Sequence, residues 1–162
     1  MPHTTVNAPV IRIRRATSND LDQIIRFNLA CAYESESLRL DPSAARIGAE
    51  TVIADPTCGH YYLAENEHQA VGQCLVTREW SDWRGAWVWW LQSVYVLPAA
   101  RRSGIFAELF HHVRNAARSG GAASLRLYVD QDNKGAIQTY RKMGMTQSHY
   151  RLYEMELSLS DD

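Results

Sequence analysis

At 162 residues the chain has about the length of one domain, which typically buries roughly 70% of its unfolded surface, so it needs no staples to fold. Its 17 basic and 18 acidic residues leave a formal charge of -1 and form no long like-charge run, which argues against nucleic acid as a partner. The three cysteines, Cys31, Cys58 and Cys74, are widely spaced with no Cys-x-x-Cys pair; this argues against a disulfide framework or a zinc site and reads as reduced core thiols.

Residues 1–9 read as a short polar tail without the basic start and apolar stretch of a leader, and no run approaches the roughly 20 apolar residues that span a bilayer. The expectation is a cytoplasmic protein without membrane contact. Val10 to Arg15 alternates apolar and basic residues as an edge-like strand with Ile11 and Ile13 facing inward. Thr17 and Asp20 form a capping box. The helix they open carries Leu21, Ile24, Ile25, Asn28 and Leu29 towards the core and fades near Tyr33 into a polar bend, Glu34-Ser35-Glu36-Ser37. Asp41-Pro42 starts a second helix and Asp55-Pro56 stops it.

His60 to Glu65 and Val71 to Glu79, separated by Asn66-Glu67-His68-Gln69, read as a hairpin. Ser81-Asp82-Trp83-Arg84-Gly85 then turns the chain back into an aromatic and β-branched strand, Trp87 to Val96. Trp80, Trp83, Trp87, Trp89 and Trp90 crowd this region and read as a packed aromatic face, with a substrate wall or a dimer contact as the sharper alternative. Pro98 closes the strand. Ile105, Phe106, Leu109, Phe110, Val113, Ala116 and Ala117 share one side of a helix that Gly120-Gly121 stops. Ser124 to Val129 alternates as a further strand. Asn133 caps a last helix with Ala136, Ile137, Tyr140 and Met143 on one face, ended by Gly144. Thr146 to Leu157 reads as extended with a bend near His149. With no repeats or linkers, residues 10–158 are expected to form a single domain.

The stretch from Gln92 to Phe106 joins an apolar strand to a helix through a basic, glycine-containing turn. Chain N–H groups at a helix start lack internal partners and the macrodipole adds positive charge there. With Arg101 and Arg102 beside them, the amides from Arg101 through Ser103, Gly104 and Ile105 to Phe106 form a receiver for phosphate. No metal is expected: His111 and His112 are adjacent and point apart on a helix.

Val-Tyr-Val-x-Pro-x-x-Arg-Arg-x-Gly-Ile resembles the acetyl-CoA signature of the GNAT superfamily of N-acetyltransferases, Arg/Gln-x-x-Gly-x-Gly/Ala. Here it is Arg101-x-x-Gly104-x-Phe106, with Phe106 in place of the usual small residue. Asn133-x-x-Ala136-x-x-x-Tyr140-x-x-x-Gly144-Met145 resembles the family's second cofactor segment, Asn-x-x-Ala-x-x-x-Tyr-x-x-x-Gly-Phe. The resemblance covers nearly the whole chain and implies an α/β (α+β) fold. Its mixed, mostly antiparallel sheet would have six to seven strands flanked by about four helices, with strands 4 and 5 splayed.

It also implies acetyl-CoA as cosubstrate, its pantetheine arm running beside Val94, Tyr95 and Val96 like an added strand. Asn133 and Ala136 would join the cofactor segment, the Val94 N–H would face the thioester carbonyl, and Tyr140 would partner the departing sulfur. Full proton transfer from a phenol near pKa 10 to a thiolate whose acid is near 8.5 is uphill by about 2 kcal/mol, so a donated hydrogen bond is the safer role. An amine of pKa near 10.4 is neutral only about once in 2,500 molecules at pH 7, so a base would help. Many relatives carry Glu where this chain has Gln92, which cannot accept a proton. Topology ranks Glu34 and Glu36 first as carboxylates bordering the acceptor, and Glu79 and Asp82 second.

The function so implied is transfer of an acetyl group from acetyl-CoA to a primary amine of a small molecule in a ternary complex. The alternatives are a non-catalytic acyl-CoA sensor and a protein N-terminal or lysine acetyltransferase. A homodimer is a family expectation.

Overall fold

The computed structural model describes residues 10–67 and 69–157; the expected tail over 1–9 and His68 of the hairpin turn lie outside the described residues. These residues fall into two compact units, one ending at Tyr128 and the other starting at Val129.

The first unit is built on a five-stranded sheet in the order β1 (Arg12–Arg15), β2 (His60–Glu65), β3 (Ala70–Ser81), β4 (Ala86–Val96) and β5 (Ser124–Leu127). The first four strands pair antiparallel and β5 joins β4 in parallel, as expected for a mixed, mostly antiparallel sheet. The hairpin between β2 and β3 closes on Asn66, whose side-chain oxygen accepts from the Gln69 amide at 2.9 Å. The opening strand is shorter than expected, beginning at Arg12. Arg14 bonds Asp20 at 2.7 Å and also reaches Glu65, tying β1, the first helix start and β2 together.

Asp20 also accepts from the Thr17 amide at 2.7 Å, which is the predicted capping box, and α1 (Leu21–Glu36) follows. α1 corrects the expected bend. Glu34-Ser35-Glu36 stays helical, with the Ser35 hydroxyl donating to the Cys31 carbonyl at 2.8 Å, and Ser37, at φ 55°, closes the helix. The two acidic residues therefore sit in the last helical turn. α2 (Pro42–Ala54) begins as its Asp-Pro start predicts, with the Asp41 side chain accepting from the Ser43 and Ala44 amides.

Ile24 and Ile25 of α1, Ala49 of α2 and Tyr61 and Leu63 of β2 form one core cluster on this side of the sheet. α3 (Ile105–Ser119) buries Ile105, Leu109, Phe110, Val113 and Ala117 and lays His112 edge-on to Tyr62 at 4.8 Å. Each fully buried Leu or Ile there contributes about 1.5–3 kcal/mol, so the sheet is held by a helical layer on each face.

The second unit contains α4 (Lys134–Lys142), and the sheet is smaller than expected. Residues from Thr146 to Leu157 form no strand, so among the described residues five strands stand where six to seven were predicted. Tyr150, Leu152, Tyr153, Met155 and Leu157 are all exposed. An alternating pattern records a preference for extended backbone, whereas a strand also needs a neighbour to pair its amides.

Candidate active site

The site is built where β4 leaves its neighbours. β4 pairs with β5 only over Val88–Leu91, so on that side Gln92 to Val96 have no β5 partner, in keeping with the expected splay of strands 4 and 5. Against β3 the register shifts: Leu75 faces Gln92 and Gln73 faces Tyr95, which leaves Ser93 and Val94 together opposite Cys74. Ser93 takes φ 47°, a left-handed conformation rare for a residue with a side chain. This bulge re-aims Val94, the residue the resemblance gives as the oxyanion donor.

Beyond Val96 the Leu97 amide donates to the Val71 carbonyl at 2.8 Å, and Pro98–Ala100 form a 3-10 turn. Arg102 lies at φ 62° and Gly104 at φ 84°, so the backbone reverses twice before α3. A glycine is required at 104 for conformational reasons, since a Cβ there would meet nothing within 4 Å yet would be strained at this φ. Left-handed residues in such a turn aim successive amides into one concavity. The Glu108 amide donates to the Gly104 carbonyl at 3.0 Å as the first bond of the helix, so the Gly104 and Ile105 amides are among those that a helix start does not pair internally. Arg101 to Gly104 are exposed. The turn therefore has the donors, positive end and open space that a pyrophosphate requires.

Arg101 is already engaged. Its Nε donates to the Val96 carbonyl at 2.9 Å, its Nη2 bonds Glu34, and its guanidinium lies over the Tyr95 ring at 5.5 Å. The Tyr95 hydroxyl donates to the other Glu34 oxygen at 2.9 Å. The Arg101 bond holds the Glu34 carboxyl below the usual carboxylate range, and burial, then Glu34, pushes the Tyr95 phenol up. Glu34, ranked first together with Glu36 as a base, is thus brought to the turn ahead of α3 as a paired anion; Glu36, two residues on, is exposed.

The other polar residues of the neighbourhood also have partners. Gln92 donates to the Thr77 hydroxyl at 2.6 Å. Glu79 accepts from the Trp90 indole at 2.8 Å and from Arg126 at 3.2 Å, while Tyr128 stacks on Trp90 at 4.6 Å. Asp82 lies in the β3–β4 turn, accepting from the Trp83 amide at 3.0 Å. The tryptophans divide: Trp89 is buried against His60, Trp80 and Trp87 pack edge-on at 5.1 Å but stay exposed, and Trp83 is 89% exposed. A single packed aromatic face is therefore corrected, because Trp80, Trp83 and Trp87 near the β3–β4 turn stay exposed.

In the second unit, the Asn133 side chain accepts from the Ala136 amide at 3.1 Å and caps α4. Ala136, Ile137, Tyr140 and Met143 are its half-buried face, as their spacing predicts. Gly144 ends the segment at φ 89°.

Sequence reasoning missed the Ser93 bulge, the Glu34–Arg101 pair and Gln73, which lies fully buried beneath the bulge. Only Gln73 left a trace, as a polar residue between Gly72 and Cys74 in the apolar first half of β3, Ala70 to Val76.

Comparison with known proteins agrees with this geometry. The Acetyltransferase (GNAT) family matches residues 21–145, a span that takes in both motifs, Arg101 to Phe106 and Asn133 to Met145. Thialysine N-epsilon-acetyltransferase of Bos taurus is 30% identical over 142 residues, covering 83% of each chain. The crystal structure of a possible acetyltransferase from Clostridium difficile 630 superposes with a TM-score of 0.86 at 37% identity, over 91% of this chain and 98% of that one. The aminoglycoside N-acetyltransferase AAC(6')-Iy in complex with CoA shares the fold, with a TM-score of 0.75 at 14% identity over 91% and 95% of the two chains. Enzymes of this family use acetyl-CoA as cosubstrate. The chain belongs to the GNAT family of acetyltransferases.

Proposed function

We propose that the protein moves the acetyl group of acetyl-CoA onto a primary amine of a small molecule by direct attack in a ternary complex. The observation that carries this reading is the bulged end of β4, open on its β5 side, running into a helix start whose amides can take phosphate. The identity to a thialysine N-epsilon-acetyltransferase favours a small cationic amine. Acidic groups on the first unit, Glu36 and Glu79 among them, would suit such a cation.

Acetyl-CoA supplies the acetyl group already activated as a thioester. The amides of Gly104 and Ile105, with Arg101, Arg102, Ser103 and Phe106 around them, hold the phosphate end. Val94 to Val96 offer backbone groups to the pantetheine arm, and the Val94 N–H faces the oxygen that gains charge. Asn133 and Ala136 order the second cofactor segment. Tyr140 donates a hydrogen bond where the sulfur departs. Glu34 serves Arg101 rather than the amine, because a carboxylate held at low pKa is a poor acceptor of an amine proton. The amine then enters through its small neutral fraction, with Glu36 the exposed carboxylate left in that helical turn.

Residues 10–158 act as one acetyltransferase domain in this reading, located in the cytoplasm. The exposed Trp80, Trp83 and Trp87 make the β3–β4 hairpin its contact in a homodimer.

The test is release of CoA thiol and gain of an acetyl group across a panel of thialysine, lysine, polyamines, aminoglycosides and peptides. The reading expects turnover with small amines. Turnover with peptides alone would favour a protein acetyltransferase. The engagement of Gln92 with Thr77 and of Glu34 with Arg101 favours a second reading, a non-catalytic acyl-CoA sensor. That reading expects binding without transfer to any amine.

A further inference from the structure

Gln73 is the one buried polar or charged side chain in the core of the described residues, with no exposed surface. Its amide nitrogen donates to the Asn28 side-chain oxygen at 2.7 Å and to the Ser93 carbonyl at 3.3 Å. Asn28 in turn donates to the Tyr61 hydroxyl at 3.2 Å. A polar chain therefore runs from β2 through α1 and β3 to the bulge of β4.

A bulge in a left-handed conformation turns its carbonyl out of the ladder, and a buried carbonyl without a donor is costly. Gln73 supplies that donor from beneath. On the next residue the Cys31 thiol reaches the Val94 carbonyl at 3.5 Å, so the peptide planes on both sides of Val94 are held, the one carrying its N–H by Gln73 and the one carrying its carbonyl by Cys31. The orientation of the Gln73 amide follows from its neighbours: both atoms it faces are acceptors, so only its NH2 group fits there. Its own oxygen is buried without a hydrogen-bond partner among the described residues, a feature that stability alone does not favour. Strain and unsatisfied polar groups of this kind collect where geometry serves function.

We propose that Gln73, oriented by Asn28, is a positioning residue for acyl transfer, fixing the Ser93–Val94 bulge so that the Val94 amide points at the developing oxyanion. The inference rests on the acetyl-transfer reading for its kinetic consequence, but the geometry it asserts is measurable without turnover.

Gln73→Met keeps the length and removes the donor. The expected result is a kcat about 10- to 100-fold lower, with acetyl-CoA affinity by calorimetry within about threefold of wild type and a somewhat lower melting temperature, because the Asn28 and Ser93 oxygens lose their donor. In the free protein the Ser93 and Val94 amide resonances should shift and broaden. Asn28→Leu leaves the Gln73 donor unoriented and should produce the same pattern more weakly, which keeps the question open to test if Gln73→Met fails to fold. Unmoved Ser93 and Val94 resonances in a folded variant would overturn the proposal whatever the kinetics, as would a kcat within threefold of wild type. If the wild-type protein transfers acetyl to no amine, the functional reading fails alone and the resonances still decide the role of Gln73.

Discussion

Glu34, in the last turn of α1, and Arg101, just ahead of α3, lie 67 residues apart in the chain and are joined as an ion pair, with the Tyr95 hydroxyl on the second carboxylate oxygen. The pair connects the helix that borders the sheet to the turn that would receive phosphate. It also offsets the cost of a negative charge at a helix C-terminus, where the macrodipole disfavours it. Both side chains are more than a third exposed, so this contribution to stability is small.

Glu34→Gln should leave kcat within about threefold of wild type. The slope of kcat/KM against pH should also be unchanged, rising tenfold per unit below the amine's own pKa. Steady-state kinetics from pH 6 to 9 checks this. A hundredfold fall in kcat with acetyl-CoA binding intact would return Glu34 to the proton-transfer step.

Tyr140→Phe removes one hydroxyl from the half-buried face of α4. A donor to the departing sulfur acts in the transition state, so kcat should fall about 10- to 100-fold while acetyl-CoA affinity changes little. Paired calorimetry and turnover measurements separate the two, and equal activity would remove Tyr140 from the chemistry.

How much of this was legible follows the physical range of each signal. Local chemistry was readable: Asp41-Pro42, Thr17 with Asp20, and Asn133 each announced a helix start, and each caps one. Motif spacing located the Arg101 to Phe106 turn because its amides are fixed by neighbours in sequence. The Glu34–Arg101 pair and the Gln73–Ser93 bond were not readable, since each joins residues that only the sheet brings together. The missing strands in residues 146–157 have the same cause, because alternation does not name a partner.

His60 offers a prediction about stability. Its ring lies against Tyr62 and Trp89 with Nε2 buried and unpaired among the described residues, and burial, with Arg15 and Arg78 nearby, lowers its pKa from 6.5 to about 4. Between those values the unfolded chain binds the proton and the folded one does not. Stability is therefore full above about pH 6.5 and is lost as pH falls towards 4. Discounted for partial exposure, the loss is about 1–2 kcal/mol. His60→Phe should flatten this limb in denaturant titrations between pH 7 and 4; an identical limb in both proteins would count against it.

Gly104→Ala should destabilise the protein by about 1–2 kcal/mol through backbone strain alone, since the added Cβ meets nothing within 4 Å. Relaxation of the turn should weaken CoA binding as well. Chemical denaturation and calorimetry on the same variant read the two effects, and unchanged values of both would show that the turn does not need its left-handed residue.

The central claim is that the open end of β4 and the start of α3 hold acetyl-CoA through backbone amides. Hydrogen–deuterium exchange of the full chain with and without acetyl-CoA tests it most directly. Peptides spanning residues 93–97 and 102–108 should gain protection on binding, while those of β1 and α2 should not. Saturating acetyl-CoA that leaves both of those segments exchanging at their free rates would contradict the account.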